Sequence, residues 1–172
     1  IDAVMIGTTH FINALVQANR LAPTAALRLG LPATRALPPL IDWPEVLVEA
    51  TKARSYLAHG GYEFDGRPIS PIDPDELRAA AEDMKANGIR SVAISSVFSP
   101  VNHDLETQAA EIVGDVLGPD VAISLSHEIG RIGLLERENA TIINAALREL
   151  ASEIVDGLTA AERAQGIEPP IV

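Results

Sequence analysis

Apolar residues follow two rhythms along this chain, and their alternation predicts its architecture. The short apolar run at 3–6 and the largely apolar stretches at 24–29, 89–98 and 121–125 read as buried strands. Between them, apolar residues recur every three or four positions. Phe11, Ala14, Leu15 and Ala18 form one such stripe, and Leu77, Ala80, Ala81 and Met84 another. Leu105, Ala109, Ile112, Val113 and Val116 form a third, and Ile142, Ala146, Leu150, Ile154 and Leu158 a fourth. Each is the buried face of an amphipathic helix.

Punctuation residues set the boundaries. Thr8 or Thr9 caps a helix over 10–19 that Pro23 closes, because a hydroxyl accepts from an orphan N–H. In Asp73-Pro74-Asp75-Glu76, Asp73 is a cap, Pro74 suits the first helical position, and Glu76 stands where a capping box places a carboxylate. Asn87-Gly88 stops that helix, Asn102 caps the next, and Gly118-Pro119 ends it. Residues 30–44 hold Pro32, Pro38, Pro39 and Pro44 and read as an irregular loop. A short helix is expected over 45–52. Short strands are expected at 55–58 and 62–64 around Gly60-Gly61, with Asp65-Gly66 turning 62–70 into a hairpin. The last helix runs from Leu134 to Ala164, with Gly157 ending or bending it. Strands alternating with helices through short connections predict an α/β fold, a mostly parallel sheet with covering helices, in one domain over 1–172.

Composition narrows the function classes. A hydrophobic share of 47% is that of a globular chain with a sizeable core, not of a disordered one. The net charge of −11 opposes a phosphate backbone, so nucleic-acid binding is not expected. The chain has no cysteine, which rules out disulfides and thiolate zinc sites and fits a cytoplasmic location. No apolar run is long enough to span a membrane. The chain opens in a strand pattern without Met and closes as a new apolar run begins, so both ends read as cut from a longer protein.

Three polar clusters carry the candidate chemistry. Thr8, Thr9, His10 and Asn13 follow the first strand, where helix N–H groups hold anions or polar substrates; a capped helix with a polar turn is the plain alternative. Ser126, His127 and Glu128 follow the last strand. His127 would act as acid, base or ligand, with Glu128 as its partner, or the segment is a satisfied polar loop. If both strands share a sheet, these two clusters share its edge. Near the start of the long helix, Arg137 offers a planar fork for an anion and Asn144 an amide; the acidic residues around Arg137 also complement the helix dipole. No glycine-rich phosphate loop ending in Lys-Ser or Lys-Thr occurs, and no nucleophile elbow accompanies His59-Gly60-Gly61. Neighbouring Ser126, His127 and Glu128 cannot form a triad, and His10, His59, His103 and His127 lack helical ligand spacing, so no metal site is expected.

These segments together resemble a known family. Ile6-Gly7-Thr8-Thr9-His10-Phe11-Ile12-Asn13-Ala14-Leu15 is similar to the opening segment of hydantoinase A and 5-oxoprolinase proteins. Ser95-Ser96-Val97-Phe98-Ser99-Pro100-Val101-Asn102 resembles their strand-to-helix turn. Leu125-Ser126-His127-Glu128-Ile129, then Leu135-Glu136-Arg137-Glu138-Asn139-Ala140-Thr141 and Asn144-Ala145, resembles their most distinctive block. One departure is Ile12, where the family usually carries Thr, so a hydroxyl is missing there. The resemblance implies an internal fragment of an actin/hexokinase/Hsp70-like ATPase domain. It implies a parent enzyme that uses ATP and Mg²⁺ to open cyclic amides of the hydantoin or 5-oxoproline type, through phosphoryl activation of the amide oxygen. On that reading Thr8, Thr9, His10, Asn13, Ser126, Arg137 and Asn144 contact substrate or phosphate, and His127 and Glu128 are catalytic. The phosphate loops would lie outside 1–172, leaving the fragment without activity of its own. A hydantoinase B-type subunit or a second copy of the chain would be the partner. Two alternatives stay open. One is a subunit of an acetone- or acetophenone-type carboxylase. The other is a non-catalytic docking module using Leu37, Leu40, Ile41 and Trp43 of the proline-rich loop, residues that would otherwise cover the core.

Overall fold

The computed structural model describes Gly7 and residues 9–166. Its centre is a four-stranded, all-parallel sheet of β1 (Thr24–Leu31), β2 (Arg54–His59), β3 (Ser91–Ser96) and β4 (Ala122–Leu125), in the order β2-β1-β3-β4. Helices α2 (Glu45–Thr51), α3 (Pro74–Ala86) and α4 (Asp104–Leu117) lie in the three crossovers. Parallel strands need such long connections, which is why strand and helix alternate. α1 (Thr9–Val16) precedes the sheet. One helical turn, α5 (Ser126–Ile129), leads from β4 to the 31-residue α6 (Leu134–Ala164). No described helix is long and apolar enough to cross a membrane.

The two faces of the sheet differ in side-chain size. Ala25, Leu27 and Leu29 of β1 and Val92 and Ile94 of β3 pack with Leu77, Ala81 and Met84 of α3 and Leu105, Ala109 and Val113 of α4. The alternate positions face α6. In register they pair as Thr24 with Ser91, Ala26 with Ala93, and Arg28 with Ser95, with Ser124 beside Ala93. Apart from Arg28 these are small residues, so α6 lies close on the sheet and fits Ile142 and Ala145 against Ala26 and Ala93.

Arg28 is fully buried in that small-residue face. Its guanidinium meets Glu138 of α6 with both arms, Nε to Oε2 at 2.6 Å and Nη2 to Oε1 at 2.5 Å. Ser95 Oγ donates to the same carboxylate at 2.7 Å, and the third arm donates to the Leu37 carbonyl. One ion pair thus joins β1, β3, α6 and the proline-rich loop. Trp43 of that loop donates to Asn139 Oδ1 at 2.9 Å, and with Leu40 it covers the core, while Leu37 and Ile41 stay exposed.

Several boundaries depart from the sequence reading. The expected strand at 3–6 lies outside the described residues. The first helix ends at Val16, because Ala18 and Arg20 take left-handed backbone. The 62–70 hairpin reduces to one bridge, Tyr62 to Pro68, with Glu63 N donating to the Arg67 carbonyl and Ile69 N to that of Gly61. Asp73 caps α3 by accepting from the N–H groups of Asp75 and Glu76. The capping box is not closed, because the Glu76 carboxylate accepts from His59 N at 2.8 Å. Asn102 sits one position before the cap of α4, and its side chain accepts from Asp104 N at 2.9 Å. Ser126–Ile129 is a helical turn and not a loop. Gly157 neither ends nor breaks α6.

Arg28→Met would leave the Glu138 carboxylate buried without its cation. The expected cost is about 3–5 kcal/mol, most of it recovered in Arg28→Met/Glu138→Leu. Urea unfolding of the three proteins checks this; equal losses in the single and double variants would show that the two charges are not coupled.

Candidate functional site

The carboxyl ends of β3 and β4 open into a cleft of about 500 Å³ lined by Ser99, Pro100, His103, His127, Glu128, Ile129, Gly130 and Arg131. This is the edge of a parallel sheet where ligands are expected, because strand ends and helix N-termini point polar groups outward there. His127 is its best-held polar residue. Its Nδ1 lies 2.6 Å from Oε2 of Glu106, in the first turn of α4, and its backbone N–H donates to the same oxygen at 3.1 Å. His127 is 17% exposed and Glu106 is 0% exposed, so the ring reaches the cleft while its carboxylate partner does not. On the other side, the ring stacks on His103, with centroids 4.5 Å apart and planes 24° apart.

Behind this dyad, Ser126 Oγ donates to Oε1 of Glu106 and accepts from Arg137 Nε at 2.9 Å, with Ser99 Oγ at 3.2 Å. Arg137 sends its other N–H groups to the carbonyls of Ser96 at 2.6 Å and Arg131 at 2.7 Å. Burial disfavours its charged form and pulls the Arg137 guanidinium below its ordinary range, with Glu106 and Glu138 opposing that shift. Gly130 is required where the chain crosses Arg137, since a Cβ would meet Arg137 Cγ at 2.9 Å.

The structure therefore brings Ser126, His127, Glu128 and Arg137 together, in unequal roles. His127 pairs with Glu106 and not with its neighbour Glu128, because adjacent side chains diverge; Glu128 stands exposed on the rim. Arg137 is buried and bonded within the fold, so its fork holds backbone carbonyls and Ser126. Asn144 lies elsewhere. It donates to Ser124 Oγ at 3.1 Å and lines a separate cleft with Phe11, Leu147, Arg148 and Ala151. Thr9, His10 and Asn13 are exposed on α1, which packs on this later part of α6 and does not line the His127 cleft. From residue 137 to residue 147 the helix advances about 15 Å. The sharing of one edge by both clusters is thus not seen among the described residues; Thr8 and the first strand lie outside them. Glu106, Ser99 and His103 are the site residues that sequence reasoning missed. No group of three His, Cys, Asp or Glu among the described residues is placed to hold a metal ion.

The fold and site define a parallel α/β domain with a histidine–carboxylate dyad at the carboxyl edge of its sheet. Residues 1–117 match the family model of the hydantoinase/oxoprolinase N-terminal region, and the chain belongs to that family. It is 30% identical over 107 residues to caprolactamase subunit alpha of Pseudomonas jessenii, a stretch covering 62% of this chain and 15% of that protein. The fold matches the crystal structure of the ATP-dependent caprolactamase from Pseudomonas jessenii with a TM-score of 0.79 at 24% identity, over 99% of this chain and 26% of that one. It also matches the nucleotide-free structure of an acetone carboxylase with a TM-score of 0.69 at 18% identity, over 91% and 25%. The chain thus spans about a quarter or less of the relatives it matches.

Ser126→Ala would leave Glu106 and Arg137 each short of a buried partner. A loss of about 1–3 kcal/mol is expected. Thermal and urea unfolding measure it, and an unchanged midpoint would show that the hydroxyl is not needed to hold the network.

Proposed function

We propose that this chain is the N-terminal part of a longer ATP-dependent enzyme that opens cyclic amides, and that His127 is its proton-transferring group in the cleft at the ends of β3 and β4. The observation that carries the reading is the His127–Glu106 pair, a ring whose Nδ1 is bonded to a buried carboxylate while its edge reaches a polar cleft. Family membership and the likeness to a caprolactamase support a lactam- or hydantoin-type substrate.

Opening a cyclic amide needs a proton removed from water and a proton supplied to the leaving nitrogen. A histidine bonded to a carboxylate performs both in turn, because the carboxylate stabilises the imidazolium between the two transfers. Ser99 and Glu128 line the same cleft and would orient the ring or the water. On this reading Arg137 keeps the segment after β4 in place.

The likeness to an ATP-dependent caprolactamase supports ATP, with Mg²⁺, as the cofactor of the longer enzyme. A B-type subunit is the partner this reading favours.

In the full-length enzyme with its partner subunit, His127→Ala is expected to lower kcat for lactam-dependent ATP hydrolysis by about 100-fold or more. An unchanged kcat would remove His127 from the chemistry. Turnover with acetone and bicarbonate in place of the lactam would assign the enzyme to the carboxylases instead.

A further inference from the structure

We infer that Glu106 is the positioning residue of this site: it fixes His127 in the tautomer that carries its proton on Nδ1 and presents an unprotonated Nε2 to the cleft. The inference rests on the proposed role of His127 and adds the group through which that role is set.

One carboxylate oxygen of Glu106 accepts from two groups of the same residue, the backbone N–H of His127 at 3.1 Å and its ring Nδ1 at 2.6 Å. An ionised carboxylate has no proton to donate, so the neutral ring must supply the one shared with it. Ser126 Oγ holds the second oxygen, and it too is bonded as a donor to Glu106. Its lone pairs meet the Arg137 guanidinium, which can only donate. The carboxylate can only accept, so Ser126 gives it its hydrogen while the Ser126 lone pairs take those of Arg137 and of Ser99 Oγ at 3.2 Å, and the first oxygen is left to His127. Neither Glu106 nor Ser126 is exposed, so water does not offer an alternative partner.

The stack with His103 completes the constraint. It covers one ring face and leaves rotation about χ2 as the remaining freedom. A flip of the ring would take Nδ1 away from Glu106 and leave a carboxylate oxygen buried with a single backbone donor. The cost of such a loss is that of a buried charge short of a hydrogen bond. Glu106 also stands in the first turn of α4, where the helix dipole favours its negative charge.

Nitrogen NMR on the full-length enzyme labelled with ¹⁵N-histidine tests this, with the His127 signals assigned by their loss in His127→Gln. At a pH where the ring is neutral, the proton is expected on Nδ1 and Nε2 is expected bare. A proton on Nε2 overturns the inference. In the full-length enzyme, Glu106→Gln is expected to lower kcat by about 10-fold to 100-fold with KM changed less than about twofold. An unchanged kcat there, with turnover lost in His127→Gln, also overturns it. The two readings fail separately. A bare Nε2 with normal turnover in His127→Gln removes the proposed function and leaves the tautomer assignment standing. A proton on Nε2 with turnover lost in His127→Gln does the reverse.

Discussion

The buried pair of Arg28 and Glu138 is the constraint on which the rest of this structure depends. A strand covered on both faces normally carries apolar residues alone, since taking a charge out of water costs several kcal/mol. β1 carries Arg28 near its carboxyl end, and its side chain is 0% exposed. That placement is tolerable only if a carboxylate arrives with good geometry and the remaining donors and acceptors are filled. Glu138, Ser95 and the Leu37 carbonyl do this together. Few registers of α6 on the sheet satisfy those bonds, because a slip of one turn moves every side chain by about 5.4 Å.

The site follows from that register. Arg137 precedes Glu138 on the helix, so locking one places the other. Glu138 reaches the sheet surface, while Arg137 reaches the end of β3 and the segment after β4. There it holds Ser126, which with His127 is held by Glu106 from the opposite layer. Two helices on opposite faces of the sheet therefore clamp one turn of chain at its edge, and His127 is carried on that turn. Buried charges of this kind seldom add net stability; here they select one geometry for the His127 ring.

The layout was legible where the physics is local. Apolar spacing predicts α3, α4 and α6 and the parallel strands between them, and Asp73 with Pro74 marks the start of α3. The clustering of Ser126, His127 and Glu128 at a strand end points to the cleft as well. What the pattern does not disclose is pairing across distance. Glu106 sits beside Leu105 in an ordinary amphipathic helix, and nothing near it announces His127 twenty-one positions later. Glu138 reads as a dipole complement until Arg28 is seen beneath it. A signal was available there: an arginine inside the apolar run Ala25-Ala26-Leu27-Arg28-Leu29 requires a buried counter-charge somewhere in the chain. The partner's position, 110 residues away, is a property of the fold alone.

The same edge of the sheet holds a second histidine built in nearly the same way, and the contrast explains why only one is a candidate. At the end of β2, Oε2 of Glu76 accepts from the backbone N–H of His59 at 2.8 Å and lies 3.1 Å from its Nδ1. As with Glu106, the carboxylate comes from the first turn of a crossover helix. The local motif is therefore shared, and it arises because a carboxylate near a helix N-terminus lies beside the carboxyl end of a parallel strand. The surroundings differ. Glu76 is 28% exposed and His59 43%, so water competes for every bond in that pair. Glu106 is sealed from water, backed by Ser126 and Arg137, and its histidine opens on a cleft. A histidine–carboxylate contact alone is a way of finishing a strand. Burial of the carboxylate and a cavity beside the ring are what separate His127 from His59 and carry the role proposed for it.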